Sequence, residues 1–160
     1  MLVVCARGTK FEEKMRVRDT RRRGEPVMTR VLVIEDDPSV GAAIQMMLDR
    51  EGCSTVHAPD ADMGVKAFES SSFDLVIVDI FMPGMSGLET ITELRNRAPA
   101  VPILAMSGFR FRGSMDPGLD FLGMAAEAGA TDCLRKPFTP EQLTAAVRAS
   151  LEPARSGVQA

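Results

Sequence analysis

Five residues of this 160-residue chain have side chains suited to handling a transferable phosphoryl group. Each follows a short apolar run. Glu35 and Asp36 come after Val31–Ile34, Asp79 after Leu75–Val78, Ser107 after Val101–Met106, and Lys136 just after Cys133 and Leu134. An ionised carboxylate is itself a nucleophile, so Asp79 can attack phosphorus directly and become an acyl phosphate without a general base. Gathered acids repel one another, and burial raises their pKa values. A hard cation and the Lys136 ammonium would offset that cost. Oxygen-only ligands with room for water suit Mg²⁺. A cation beside the nucleophile, with an ammonium and a hydroxyl opposite, matches the charge that develops on transferring oxygens. Lys136 is the candidate cation, and Ser107 the hydroxyl donor.

These five residues meet only if the chain brings their runs side by side. Val31–Ile34 (VLVI) reads as a strand buried on both faces, as parallel sheets require. Asp37 then caps a helix that starts with Pro38, shows Val40, Ile44, Met47 and Leu48 at helical spacing, and stops at Gly52. Ser54–His57 is a second strand. A second helix covers 60–70, with Met63, Ala67 and Phe68 turned inward. Leu75–Val78 is a third strand, and Ser86 caps a helix that buries Leu88, Ile91 and Leu94. Val101–Met106 is a fourth strand, Leu119–Ala128 a fourth helix closed by Gly129, and Cys133–Leu134 a short fifth strand. Thr139, Pro140 and Gln142 make a capping-box start for a last helix ending near Leu151. Five β–α units in a row predict an α/β fold, a doubly wound parallel sheet of flavodoxin-like (βα)5 type with strand order 2-1-3-4-5. Ligands of such sheets bind beyond the carboxyl ends of the strands, where strands one and three diverge, and all five residues stand at those ends.

Composition narrows the class. Apolar residues are 45% and charged residues 26%, an ordinary balance for a folded domain. No run of eighteen apolar residues suggests a membrane span, and the opening residues lack a secretory pattern. The 3 cysteines, Cys5, Cys53 and Cys133, are odd in number and far apart, which fits a reducing cytoplasm. Net charge is -3 but unevenly spread, since residues 1–27 carry 8 basic against 4 acidic side chains. Arg21, Arg22 and Arg23 stand in a row there, so this basic stretch is expected to be a poorly ordered N-terminal extension. Met28 directly precedes the first strand and could itself be the start of translation; a partner- or nucleic-acid-binding arm is the alternative. Residues 153–160 are expected to be a C-terminal tail.

The strings VLVIEDDPSV, DLVIVDIFMPGMSGLE, ILAMSG and GATDCLRKPF, in that order, resemble the receiver domain of bacterial two-component response regulators. The resemblance covers about residues 29–152, so 28–152 is expected to be the receiver domain. It implies Asp79 as phospho-acceptor from a sensor histidine kinase or a histidine phosphotransfer protein. It implies Asp36, Asp79 and the backbone carbonyl of Phe81 as direct Mg²⁺ ligands, with Glu35 acting through water. Ser107 becomes the switch hydroxyl and Lys136 the phosphate-pairing cation, with a cis Lys136–Pro137 bond. The implied protein is a cytoplasmic signalling switch, able to lose its own phosphoryl group but not an enzyme turning over an external substrate. Nothing that follows Leu151 suggests a further domain, so output is expected through an unknown protein partner, on the face of helix four, strand five and helix five. No direct DNA binding or membrane contact is expected, and a homodimer is left open.

Two departures stand out. Cys133 occupies the place where the family usually has Tyr or Phe. The segment GFRFRGSMDPGLD lengthens the connection after Ser107, and its 108–118 part alternates Phe109 and Phe111 with Arg110 and Arg112. It is either a surface loop or a lid or docking element. Other functions compete less well. A phosphate sink or relay intermediate differs only in lacking an output partner. A Mg²⁺-dependent aspartyl-phosphate phosphatase needs an acid two residues after its nucleophile, where this chain has Phe81. A flavin or nucleotide binder would need a glycine-rich phosphate cradle, which is absent. His57, Cys53 and Cys133 read as structural, the Met residues as packing, and Arg95 and Arg97 as a solvated helix face.

Overall fold

In the computed structural model, residues 28–108 and 121–152 are described. The basic stretch 1–27, the 109–120 part of the long connection and the tail 153–160 lie outside the described residues. Five strands alternate with five helices: β1 (Arg30–Ile34), α1 (Pro38–Arg50), β2 (Ser54–Ala58), α2 (Ala61–Ser70), β3 (Leu75–Asp79), α3 (Gly87–Arg97), β4 (Ile103–Ser107), α4 (Phe121–Ala128), β5 (Asp132–Arg135) and α5 (Pro140–Leu151). All pairings are parallel, and the sheet order is β2-β1-β3-β4-β5. The fold is flavodoxin-like, as the alternation of elements predicts.

The period of two along each strand divides the core into two layers. Val31, Val33, Leu75, Ile77, Leu104 and Met106 pack against Ile44 and Leu48 of α1 and Leu143 and Val147 of α5. Leu32, Ile34, Val76, Val78, Ile103 and Ala105 face Val65 of α2, Ile91 and Leu94 of α3, and Ala125 of α4. Burial on both faces is why the central strands read as unbroken apolar runs.

Helix starts follow local chemistry. Asp37 accepts hydrogen bonds from the Ser39 and Val40 amides, and Asp60 accepts one from Met63 N. Ser86–Glu89 and Thr139–Gln142 form complete capping boxes. The Lys136–Pro137 peptide is cis.

Two sequence expectations fail. Met63 is 51% exposed rather than turned inward. The buried face of α2 is Ala61, Gly64 and Val65, and a Cβ on Gly64 would lie 2.4 Å from Ile34 Cδ1. At about 3.6 residues per turn Met63 lies on the opposite side of the helix from that face. Arg95 is no solvated side chain. Its guanidinium donates to the carbonyls of Gly129, Pro99 and Val101 and reaches Thr131 Oγ1, locking the end of α3 to the turn before β5. Arg97 does face solvent, paired with Glu69 and Glu93.

Candidate functional site

The carboxyl ends of β1, β3, β4 and β5 converge on Asp79. This residue ends β3, lies opposite Met106 of β4, and is 3% exposed. Glu35 follows β1 and is fully buried, with Asp36 next to it. One carboxylate oxygen from each of Glu35, Asp36 and Asp79 falls within 4.8 Å of the others. Lys136 reaches in from the far side, where its Nζ donates to Asp79 Oδ2 at 2.8 Å and to Glu35 Oε2 at 2.5 Å. These bonds join positions 57 and 101 residues apart in the chain, so only the fold can make them. Lys136 N also donates to Ser107 O at 2.7 Å, which ties the exit of β5 to the end of β4. Ser107 and Lys136 thus stand together beside the acids.

The backbone around Asp79 is closely built. Ile80 N continues the pairing of β3 with β4 by donating to Met106 O, and Phe81 N donates to Asp79 Oδ1 at 2.9 Å. Pro83 and Gly84 then turn the chain, with Gly84 at φ +81°. A proline followed by a residue of positive φ matches a type II turn. Gly87 opens α3 directly against the end of β3. A Cβ there would sit 2.1 Å from Asp79 O and 2.3 Å from Ile80 Cα, so only glycine fits.

Charge balance follows from this packing. Burial raises the Glu35 carboxyl above its ordinary value, and the neighbouring Asp79 charge adds to that, while the Lys136 ammonium pulls it back. Burial alone would lower Lys136, but its hydrogen bonds to Asp79 and Glu35 more than compensate and raise it. The ammonium therefore stays charged and partly neutralises the acids. Three clustered oxygen donors of hard character fit a small divalent cation such as Mg²⁺.

Of the sequence-predicted residues, Glu35, Asp36 and Asp79 cluster, Lys136 bonds to Glu35 and Asp79, and Ser107 is brought alongside through its backbone. Phe81 contributes its N–H to Asp79, and its ring packs edge-on against Phe121 of α4 at 4.7 Å. Asp37 serves as a helix cap. Cys133 lies half-buried on β5, with Sγ 3.9 Å from Leu122 O. Sequence reasoning missed Gly87, whose constraint comes from the backbone at the end of β3 folding back onto the start of α3. It also missed the contact between His57 Nε2 and Glu35 O.

The response regulator receiver domain family matches this chain over residues 31–148. The chain belongs to that family. It is 34% identical over 120 residues to the uncharacterized transcriptional regulatory protein YcbL of Bacillus subtilis, covering 75% of this chain and 50% of that protein. It is 30% identical over 122 residues to the alkaline phosphatase synthesis transcriptional regulatory protein PhoP of Bacillus subtilis, covering 76% of this chain and 48% of that protein. The chain thus spans about half the length of these curated relatives. Among solved structures, the chemotaxis protein CheY4 of Vibrio cholerae superposes with a TM-score of 0.69 at 27% identity, covering 78% of this chain and all of that one. A receiver domain is a phospho-accepting signalling switch served by histidine kinases, and Mg²⁺ binding at an acidic pocket is typical of the family. Among the described residues no helix is long and apolar enough to cross a membrane.

Proposed function

We propose that Asp79 is the phospho-acceptor of this receiver. The observation that carries the proposal is the Lys136 ammonium bridging Asp79 and Glu35 inside the acidic cluster. Asp36, Asp79 and the Phe81 carbonyl would hold Mg²⁺, with Glu35 reaching it through water. Bound there, the ion would neutralise charge on the transferring phosphoryl oxygens. An Asp79 carboxylate oxygen attacks phosphorus of a phosphohistidine in a sensor kinase or phosphotransfer protein. A P–O bond forms as the P–N bond breaks, and the imidazole leaves with the electron pair. Lys136 transfers its hydrogen bond from Asp79 to a phosphoryl oxygen, and Ser107 donates to another. No general base is required, because a carboxylate attacks directly.

The new group carries about −1.5 to −2 charges and three strong acceptor oxygens. It draws the ends of β4 and β5 inward and biases the surface formed by α4, β5 and α5, where an output protein binds. The chain acts in the cytoplasm as a switch, and residues 28–152 suffice for it. A sink or relay role uses the same chemistry without that last contact.

Acetyl phosphate with Mg²⁺ tests the assignment by intact mass. The parent chain should gain one phosphoryl group, and Asp79→Asn should gain none. Equal modification of the variant removes Asp79 from its role.

A further inference from the structure

The single histidine of the chain sits where it can set the geometry of the acidic turn. His57 lies on β2 opposite Val33, and Val33 belongs to the sheet face covered by α1. Its side chain passes along that face towards the strand end, and Nε2 comes 2.8 Å from Glu35 O. A carbonyl only accepts, so Nε2 carries the proton and donates. The ring is seated in a place made for it. A Cβ on Gly41 would lie 2.4 Å from His57 Nε2, 2.5 Å from Cε1 and 2.8 Å from Cδ2. Any larger residue at the start of α1 would push the ring off the carbonyl. Glycine within a helix costs roughly 0.5–1 kcal/mol relative to alanine, so local propensity does not explain Gly41. Accommodation of the ring does.

Glu35 O belongs to the peptide that joins Glu35 to Asp36. Its orientation sets the direction in which Asp36 leaves the strand. Two further bonds hold the same turn: Glu35 N donates to Ala58 O, and Asp37 N donates to Glu35 Oε1. The edge strand therefore holds both sides of Glu35, its amide through Ala58 and its carbonyl through His57.

We infer that His57 is a positioning residue, which fixes the Glu35–Asp36 peptide so that the acidic cluster is pre-shaped for a divalent cation, with Gly41 making room for its ring. This rests on the metal-binding assignment proposed above. His57 touches neither phosphoryl group nor cation; it acts through the backbone of the residues that do. Preorganisation of this kind raises affinity by reducing the ordering cost on binding.

Two variants separate the hydrogen bond from ring packing. His57→Phe keeps a planar ring over Gly41 and removes the donor. His57→Gln gives up the ring but places an amide N–H at similar reach. Mg²⁺ affinity is measured by titration calorimetry. Amide hydrogen exchange of Asp37 in metal-free protein gives a second readout that needs no ion, and urea unfolding reports stability. His57→Phe should lose about three- to tenfold in Mg²⁺ affinity, the range of one net hydrogen bond, and should exchange Asp37 N–H faster. His57→Gln should recover most of both. If His57→Phe keeps the parent affinity and protection, or if His57→Gln falls as far as His57→Phe, the positioning role is wrong. A parent chain that binds no Mg²⁺ while Asp37 exchange still responds to His57→Phe would instead overturn the metal assignment and leave the turn geometry standing.

Discussion

Replacing Lys136 with Met removes one charge and keeps most of the side-chain stem, which packs beside Gly108. Left behind are three carboxylates whose oxygens lie within 4.8 Å of one another, and Glu35 among them is fully buried. At an effective dielectric near 20, two unit charges 4.8 Å apart repel by about 3.5 kcal/mol. Removing one partner of a buried ion pair costs about 3–5 kcal/mol. The loss should depend on pH. Burial already raises Glu35 above its ordinary 4.5, and the variant loses the ammonium that opposes the rise. Between 4.5 and the new, higher value the folded chain holds more protons than the unfolded chain, so stability falls as pH rises through that window. The shift of Lys136 itself lies above 10.5 and acts outside it. Lys136→Met should therefore be close to parent stability at about pH 4 and about 3–5 kcal/mol weaker at about pH 8. Mg²⁺ at about 100 times its dissociation constant should return about 2.7 kcal/mol. Urea unfolding followed by far-UV circular dichroism, at several pH values with and without Mg²⁺, measures all three. Parallel pH curves for parent and variant would refute the charge balance described here.

Other perturbations have definite outcomes. Gly87→Ala drives a methyl into Asp79 O and should cost about 3 kcal/mol in urea unfolding, with slower phosphorylation by acetyl phosphate in the same samples. Glu35→Gln should flatten the fall in metal-free stability above pH 4.5 and weaken Mg²⁺ binding, read by unfolding at a series of pH values and by calorimetry. Arg95→Ala loses charged hydrogen bonds to three carbonyls and should cost about 2 kcal/mol, with faster amide exchange at Ala130; Arg95→Lys should recover less than half of it.

The layout of the site was legible because strand ends are marked in sequence. Val31–Ile34 and Leu75–Val78 each stop at acids, and the parallel order then places those acids side by side. Capping was equally legible, since Asp37, Ser86 and Thr139 act through bonds to residues two or three positions on. Contacts between elements left no local trace. Hydrophobicity put Met63 inward, yet at about 3.6 residues per turn it lies on the side of α2 away from the buried Ala61, Gly64 and Val65. Arg95 looked like any helix-surface charge until the turn around Gly129 supplied its acceptors. His57 and Gly41 are unremarkable apart, and their fit exists only when β2 lies against α1.

Cys133 bears on how the phosphorylated state is read, since the family usually has an aromatic there. The structure holds a route to the same surface that does not use residue 133. Lys136 N is bonded to Ser107 O, which ties the ends of β4 and β5 together. The Lys136 ammonium is held by Glu35 as well as Asp79, and a phosphoryl group on Asp79 would draw it away from Glu35. On the other side of Asp79, Phe81 is tied to that carboxylate by its N–H and to α4 by its ring against Phe121. Both routes reach the α4–β5 edge from the immediate neighbours of Asp79, and neither passes through Cys133, whose Sγ lies 3.9 Å from Leu122 O. Cys133→Ala should therefore keep the spectral shifts that beryllofluoride with Mg²⁺ produces in α4 and β5, and Phe121→Ala should shrink those in α4 while Asp79 still reacts with acetyl phosphate. Shifts lost in Cys133→Ala and intact in Phe121→Ala would assign the readout to the thiol position.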